Sequence, residues 1–450
     1  MKSDKKSEIG YKQQKWSYRF IWTDKHLGPD VLKPLRHDYD ELGALTVERL
    51  LTIKDQEGEK GDLYKILEKH HSEDAVLTKF WNQVHHVPKW VDWEQIARGQ
   101  QVFYRYALAN IIGFALQGFI CENSASTGVV EVLVRTGGFS TRVLLGRLLE
   151  TFQWLLEVTR SQEEVKPGGR GFKSTVRVRL LHSSVRRRIL HLAIRRPEYY
   201  DVAEFGVPAN TMDSIHSITT FSLNPMFLQL PQMGITPRPQ EIEDYLALFR
   251  YLAHIVGTPT EYFSTVEEAK ALMESCYLHE LNMTETSKTV AYNFVRVVES
   301  LPPPLVTSRG FIEAGSRWLN GHELCDELGL GRPGFLSYVA FAGLCVLVNS
   351  LAWTQRLIPA FDKFMIEFLR SKLYWAVVEN EGGLNGGTNF EMKYKPRLNS
   401  ITGREEATTF KSGHLIIESF FLLCTIMTMV IIMVLGYAVW DLMRKEFKVI

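Results

Sequence analysis

Residues 173–188 read KSTVRVRLLHSSVRRR, and how this stretch folds decides the class of the whole chain. Val178, Leu181, Val185 and Ile189 recur at helical spacing, so a period of 3.6 residues gathers them into one apolar stripe. His182 lies at the edge of that stripe, which turns its imidazole toward a core. Neutral imidazole is a common iron ligand, and a histidine on a core helix is one way proteins hold haem. A buried histidine also commonly hydrogen-bonds a neighbour and does no chemistry. Both readings require a helix here with a core against it.

The basic character of this stretch continues to Arg196, giving eight Lys or Arg and no acid over residues 173–196. The arginines fall on several helix faces with apolar residues between them. That suits solvation, ion pairing or an anionic cofactor better than a nucleic-acid surface, which needs its basic groups on one side. A formal net charge of +1 offers no global attraction for nucleic acid either.

Upstream, EVLVRTGGFSTRVLLGRLLETFQWLLEV (residues 131–158) breaks at Gly137-Gly138 and resumes as an amphipathic helix from about Ser140. Arg147 and Thr151, four apart, share a face of it. The loop KPGGRG that follows lacks the GxxxxGK[ST] pattern of a phosphate-binding loop. Further back, VPKWVDWEQIARGQQVFYRY (residues 87–106) reads as a Pro-fixed turn and a helix capped by Asp92. The nearly unbroken apolar run Ala107–Cys121, about 15 residues long, is short for a membrane span and is expected as a buried helix. Downstream, GITPRPQEIEDYLALFRYLAHIVGTP predicts a helix from about Glu241 that stops at Gly257. Residues 264–300 are expected to be helical, and Pro302-Pro303-Pro304 marks a boundary.

The C-terminal part carries the membrane signal. Ser419–Trp440 gives 22 residues without charge, and a helix of that length covers about 33 Å against the roughly 30 Å of a hydrocarbon layer. Tyr437 and Trp440 stand at interfacial positions, and Arg444, Lys445 and Lys448 follow. Phe335–Trp353 is also uncharged over 19 residues, and is expected as a helix buried in the core or lying at the membrane. The N-terminus lacks an apolar run of signal-peptide length. Five scattered cysteines show no CxxC or CxxCH spacing, which argues against a disulfide framework, a zinc site and covalent c-type haem. The sequon Asn282-Met283-Thr284 is weak support for a lumenal domain, and tail-anchored insertion would place the folded part in the cytosol.

Taken in order, VPKWVDWEQIARGQ, Glu131, GRLLET, TVRVRLLHSSVRR, YDVAEFGVPANTMD and the LFRYLAHIVGTP close resemble the catalytic domain shared by the ER-bound oxygenase of mycophenolic acid biosynthesis and the latex-clearing rubber oxygenases. The resemblance covers about Val87–Pro259 firmly, with a looser helical extension over Ser308–Pro396. It implies an all-α helical bundle of the rubber-oxygenase type, here followed by a C-terminal transmembrane helix. It also implies haem b with His182 as proximal ligand, Glu131 as an acid or base near bound oxygen, and Arg147 with Thr151 as polar residues shaping the site. The expected organisation is a polar lead-in over residues 1–60, a catalytic domain over 61–300, a helical extension over 305–395, a linker over 396–414, an anchor over 415–441 and a basic tail over 442–450. The expected function is a membrane-anchored, haem-dependent oxygenase of the endoplasmic reticulum acting on a lipophilic, prenylated or similar small molecule, with no nucleic-acid partner. One departure stands out: rubber-cleaving members tend to carry Lys immediately before the Thr, where it can supply an axial ligand, and this chain has Glu150. A non-catalytic membrane-anchored scaffold with the same fold is therefore the competing expectation. A third is non-haem iron at His70-His71 or His85-His86 with a nearby carboxylate.

Overall fold

A computed structural model describes residues 9–58, 62–136, 141–299, 301, 306–390 and 416–446. The Gly137-Gly138 break, the Pro302–Pro304 boundary and the 396–414 linker lie outside the described residues. The described chain opens with a small antiparallel hairpin, β1 (Lys12–Lys15) with β2 (Tyr18–Ile21), in which Lys15 pairs with Tyr18. Trp16 turns the chain with φ +50° and buries its indole edge-on against Tyr277, ring centroids 5.4 Å apart.

Helices dominate the rest of the described chain. Those that build the site are α1 (Glu41–Glu57), α2 (Trp93–Arg105), α3 (Thr127–Arg135), α4 (Thr141–Val158), α5 (Arg170–Arg195), α6 (Thr211–Asn224), α7 (Pro239–Val256) and α8 (Glu285–Glu299). α9 (Arg309–Asn320), α10 (Phe335–Leu357), α11 (Pro359–Tyr374) and α12 (Ile416–Glu446) follow. Local chemistry sets their ends. Asp92 accepts from the Glu94 and Gln95 amides at the start of α2, and Gly257, at φ +84°, stops α7, both as the sequence implies. The 26-residue α5 is the central strut and packs against α1, α4 and α7. Its Arg179 is almost fully buried and grips Asp40, the N-cap of α1, with Nε 2.7 Å from Oδ2 and Nη2 2.8 Å from Oδ1. Arg177 pairs with Asp62, and Arg186 donates to the carbonyls of Pro208 and Ala209. Three arginines of the basic run are thus spent inside the fold.

The run expected as one buried helix is two structures. It is α-helical over Ala107–Gly113 and π-helical over Phe114–Glu122, and a second π segment, Pro225–Gln229, extends α6. A π turn is wider than an α turn, so residues five apart come onto one side. Gln117 and Glu122 meet in this way, the amide donating to the carboxyl at 2.6 Å. Gln229 of the second segment donates to Gln117 Oε1 at 2.7 Å, so polar pairing across the core holds both widened turns.

Among the described residues, two helices are long and apolar enough to cross a membrane: Phe335–Leu357, with mean hydropathy 1.9, and Ile417–Trp440, with mean hydropathy 2.5. They pack together antiparallel, since Val339 meets Thr425 and Gly343 meets Phe421. From Met429 to Trp440 every residue of α12 is exposed and all but Gly436 and Ala438 are large and apolar.

Candidate active site

α3, α4, α5 and α6 enclose a cavity of about 380 Å³, with Phe119, Phe294 and Phe390 contributed from outside these helices. The stripe on α5 reaches it as expected. Val178, Leu181, His182 and Val185 all face the cavity, whereas Ile189, one turn on, packs against Tyr199 and Tyr200. His182 is half-buried and opens on the cavity, and among the described residues neither ring nitrogen has a hydrogen bond. Burial, with the nearby Arg186 guanidinium in support and Asp40 opposing, pushes its pKa down to about 4. It is therefore neutral at physiological pH, with a lone pair free for coordination.

Arg147, Glu150 and Thr151 of α4 share the same cavity, along with Leu144, Leu148 and Trp154. Arg147 reaches across to α3, where Nη1 donates to Leu133 O at 3.3 Å and Nη2 to Thr136 O at 2.8 Å. A guanidinium on the last carbonyls of a helix suits the negative end of its dipole. Thr151 Oγ1 donates back to Arg147 O at 2.9 Å, the usual habit of a helix hydroxyl. Together they place one fixed positive charge and one hydroxyl in a wall made mostly of aromatic and aliphatic groups.

Glu131 stands apart from the other three predicted residues. Val129, Val132, Leu133 and Thr136 form the face of α3 that lines the cavity, and at helical spacing Glu131 belongs to another face. It is buried, and its carboxylate accepts from the Arg135 guanidinium rather than from Arg147. Arg135 also donates to Tyr199 O and lies over the ring of Tyr200 at 5.5 Å.

The polar end of the cavity holds residues that the motifs did not single out as site residues. Asp40 lies there, engaged by Arg179. So does Asp213, the third residue of α6, which closes a capping box with Asn210. Burial outweighs the Asn210 amide and the charges of Arg36 and Arg186, and pushes its carboxyl up to about 7. A capping-box pattern was readable in NTMD, but its facing a cavity was not.

The paired histidines go separate ways. His70 Nδ1 lies 2.6 Å from Glu73 Oε2, while His71 stacks on Trp81 and His85 lies tilted against the same ring, with centroids 4.3 and 3.9 Å away. His86 lies instead beside His254. Among the described residues, no three His, Cys, Asp or Glu side chains gather as a metal site.

The sequence family described as ER-bound oxygenase mpaB/B'/rubber oxygenase, catalytic domain, matches residues 97–350. The solved structure of latex clearing protein LCP in the closed state superimposes with a TM-score of 0.56 at 18% identity, covering 78% of this chain and 92% of that one. At that identity the likeness speaks for the fold. No curated protein matches. With the family match spanning more than half of the chain and a mainly helical fold similar to that of LCP, the chain belongs to the family of mpaB-type ER-bound oxygenases and rubber oxygenases and carries their catalytic domain.

Proposed function

We propose that this protein is a membrane-anchored, haem-dependent oxygenase that oxidises or cleaves a lipophilic small molecule, prenylated compounds among them. The observation that carries the reading is the imidazole of His182, held neutral and without a hydrogen bond on the wall of a mainly apolar cavity. The half-buried ring opens on the cavity, where a ligand can reach its unprotonated nitrogen. A b-type haem on His182 would supply redox-active iron for chemistry with O2. Around it, Arg147 would bring a fixed donor and positive charge, Thr151 a hydroxyl, and Phe119, Phe221, Phe294 and Trp154 the water-excluding wall that a greasy substrate needs. Glu131 would act at one remove, by setting α3 through Arg135, because its carboxylate must leave that partner to reach the cavity.

The anchor is α12, and a substrate that partitions into lipid suits an enzyme tethered there. The endoplasmic reticulum, with the catalytic domain in the cytosol, is the location this reading takes. Glu150 in the cavity wall would offer a carboxylate and no amine to a haem held there, so the reading favours small molecules over polymer cleavage.

Purified full-length protein supplied with haem should show an intense Soret absorption that His182→Ala loses while its helical circular dichroism is kept. A folded wild-type protein that takes up no haem overturns the reading and leaves the scaffold alternative.

A further inference from the structure

Behind the cavity wall lies a second polar cluster. Glu122, the last residue of the first π segment, is 3% exposed and accepts from Gln117 Nε2 at 2.6 Å and from the side-chain amide of Asn224, while Thr220 Oγ1, whose hydroxyl also donates to His216 O at 2.8 Å, stands 3.2 Å from Glu122 Oε1. Nε2 of His216 stands 3.6 Å from its Oε1 without hydrogen-bonding it, and Oδ1 of Asn224 also finds no donor among the described residues. The other titratable groups that sense Glu122 are Cys276 and Tyr277 of the helix Val266–His279, both held neutral by burial. Arg317 of α9 lies on the Cys121 side. With His216 held neutral by burial, no cation among the described residues is seen to compensate a charge on Glu122.

A purely structural bridge between the two π segments has no need of an ionisable group. A glutamine would donate and accept there without the cost of burying a carboxylate. The position of Thr220 supplies a reason for the acid: of the side chains that hold Glu122, it is the one that also lines the cavity. Burial pushes the Glu122 carboxyl up to about 7 against the bonds from Gln117, Thr220 and Asn224, so it can hold or release a proton near neutrality.

We propose that Glu122 and Thr220 form a proton relay into the cavity, in which the Glu122 carboxyl protonates Thr220 Oγ1 as the Thr220 hydroxyl passes its own proton to a basic oxygen of the reactant. One O–H bond breaks at Glu122, one forms at the reactant, and the hydroxyl is regenerated. No electrons are transferred, and the carboxylate left behind keeps the bonds from Gln117 and Asn224. Reprotonation reverses the path. The relay rests on the proposed function only for the identity of the reactant.

The test uses the full chain in detergent or lipid discs without haem, followed by difference infrared spectroscopy in light and heavy water. At about pH 6 wild type should show a protonated-carboxyl band that Glu122→Gln removes and that shifts on deuteration. In Thr220→Val, or Thr220→Ala if the first variant does not fold, that shift should slow by roughly tenfold or more, and Thr220→Ser should restore it. Absence of the band, or deuteration as fast in the Val and Ala variants as in wild type, overturns the relay. Failure to bind haem would sink the proposed function and leave these infrared outcomes as they are.

Discussion

Gly343 of α10 meets the carbonyl of Phe421 on α12 so closely that a Cβ at position 343 would stand 1.8 Å from that oxygen. Thr425 Oγ1 donates to Val339 O at 2.8 Å one turn away, and Phe311 of α9 stacks on Phe421 at 5.7 Å. Small residues and hydroxyls at such crossings are how apolar helices pack without a hydrophobic driving force between them. The first turns of the apolar C-terminal helix are therefore packed against α9 and α10.

Substituting Gly343→Val should force these helices apart. We expect a loss of about 1–3 kcal/mol, typical of overpacking, with faster proteolysis near residue 416 while haem uptake is kept. Limited proteolysis and urea titration in detergent read both.

Asp40→Asn leaves the buried guanidinium of Arg179 without its counter-charge. Breaking one side of such a pair costs about 3–5 kcal/mol, and denaturant titration of the variant should show a loss in that range. Arg179→Met combined with Asp40→Asn should recover part of it.

Glu122 gives stability a sign that is unusual for a carboxyl. Its folded pKa is pushed up from 4.5 to about 7, so between those values the native state holds a proton that the unfolded chain has lost. Its contribution therefore falls as pH rises through that window and levels off above it, by roughly 3 kcal/mol in all. Glu122→Gln should remove this fall, and the difference in unfolding free energy between variant and wild type should grow in the variant's favour from about pH 4.5 to about pH 7. A difference independent of pH would contradict the burial argument.

His216 acts in the opposite direction. Burial lowers its pKa from 6.5 to about 4, so the unfolded chain takes up a proton first as pH falls, and stability is lost from about pH 6.5 down to about pH 4. His216→Gln should abolish that share of the acid loss. The same titrations at both ends of the window measure it.

Arg147→Met removes the donors to the Leu133 and Thr136 carbonyls at the end of α3. We expect a loss of about 1–2 kcal/mol and weaker haem retention, whereas Thr151→Val should leave stability close to wild type because its hydroxyl only bonds back to Arg147 O. Thermal melts with and without haem separate the two.

Much of this was legible beforehand because it is local. The 3.6-residue stripe on residues 178–189, the Asp92 cap, the Gly257 stop and the uncharged run to Trp440 each follow from a side chain and its near neighbours in sequence. The ordered motifs added the family. Glu131 was harder, because a short helix ahead of a Gly-Gly break can be rotated either way, and only packing set which of its faces meets the cavity.

Taken alone, the amino-acid order determined that the chain is helical, that it ends in a segment suited to lipid, and that His182 sits on the edge of an apolar stripe. Tertiary structure decided which distant groups share one space: Asp213 and Asp40 at the polar end of the cavity, Arg135 rather than Arg147 on Glu131, and Thr220 between Glu122 and the cavity. The reason is physical. Helix periodicity is written into residues three and four apart, but desolvation and hydrogen bonding across a core depend on segments about a hundred residues apart, as with Glu122 and Thr220. The widened turns that bring those segments together leave no periodic trace to read.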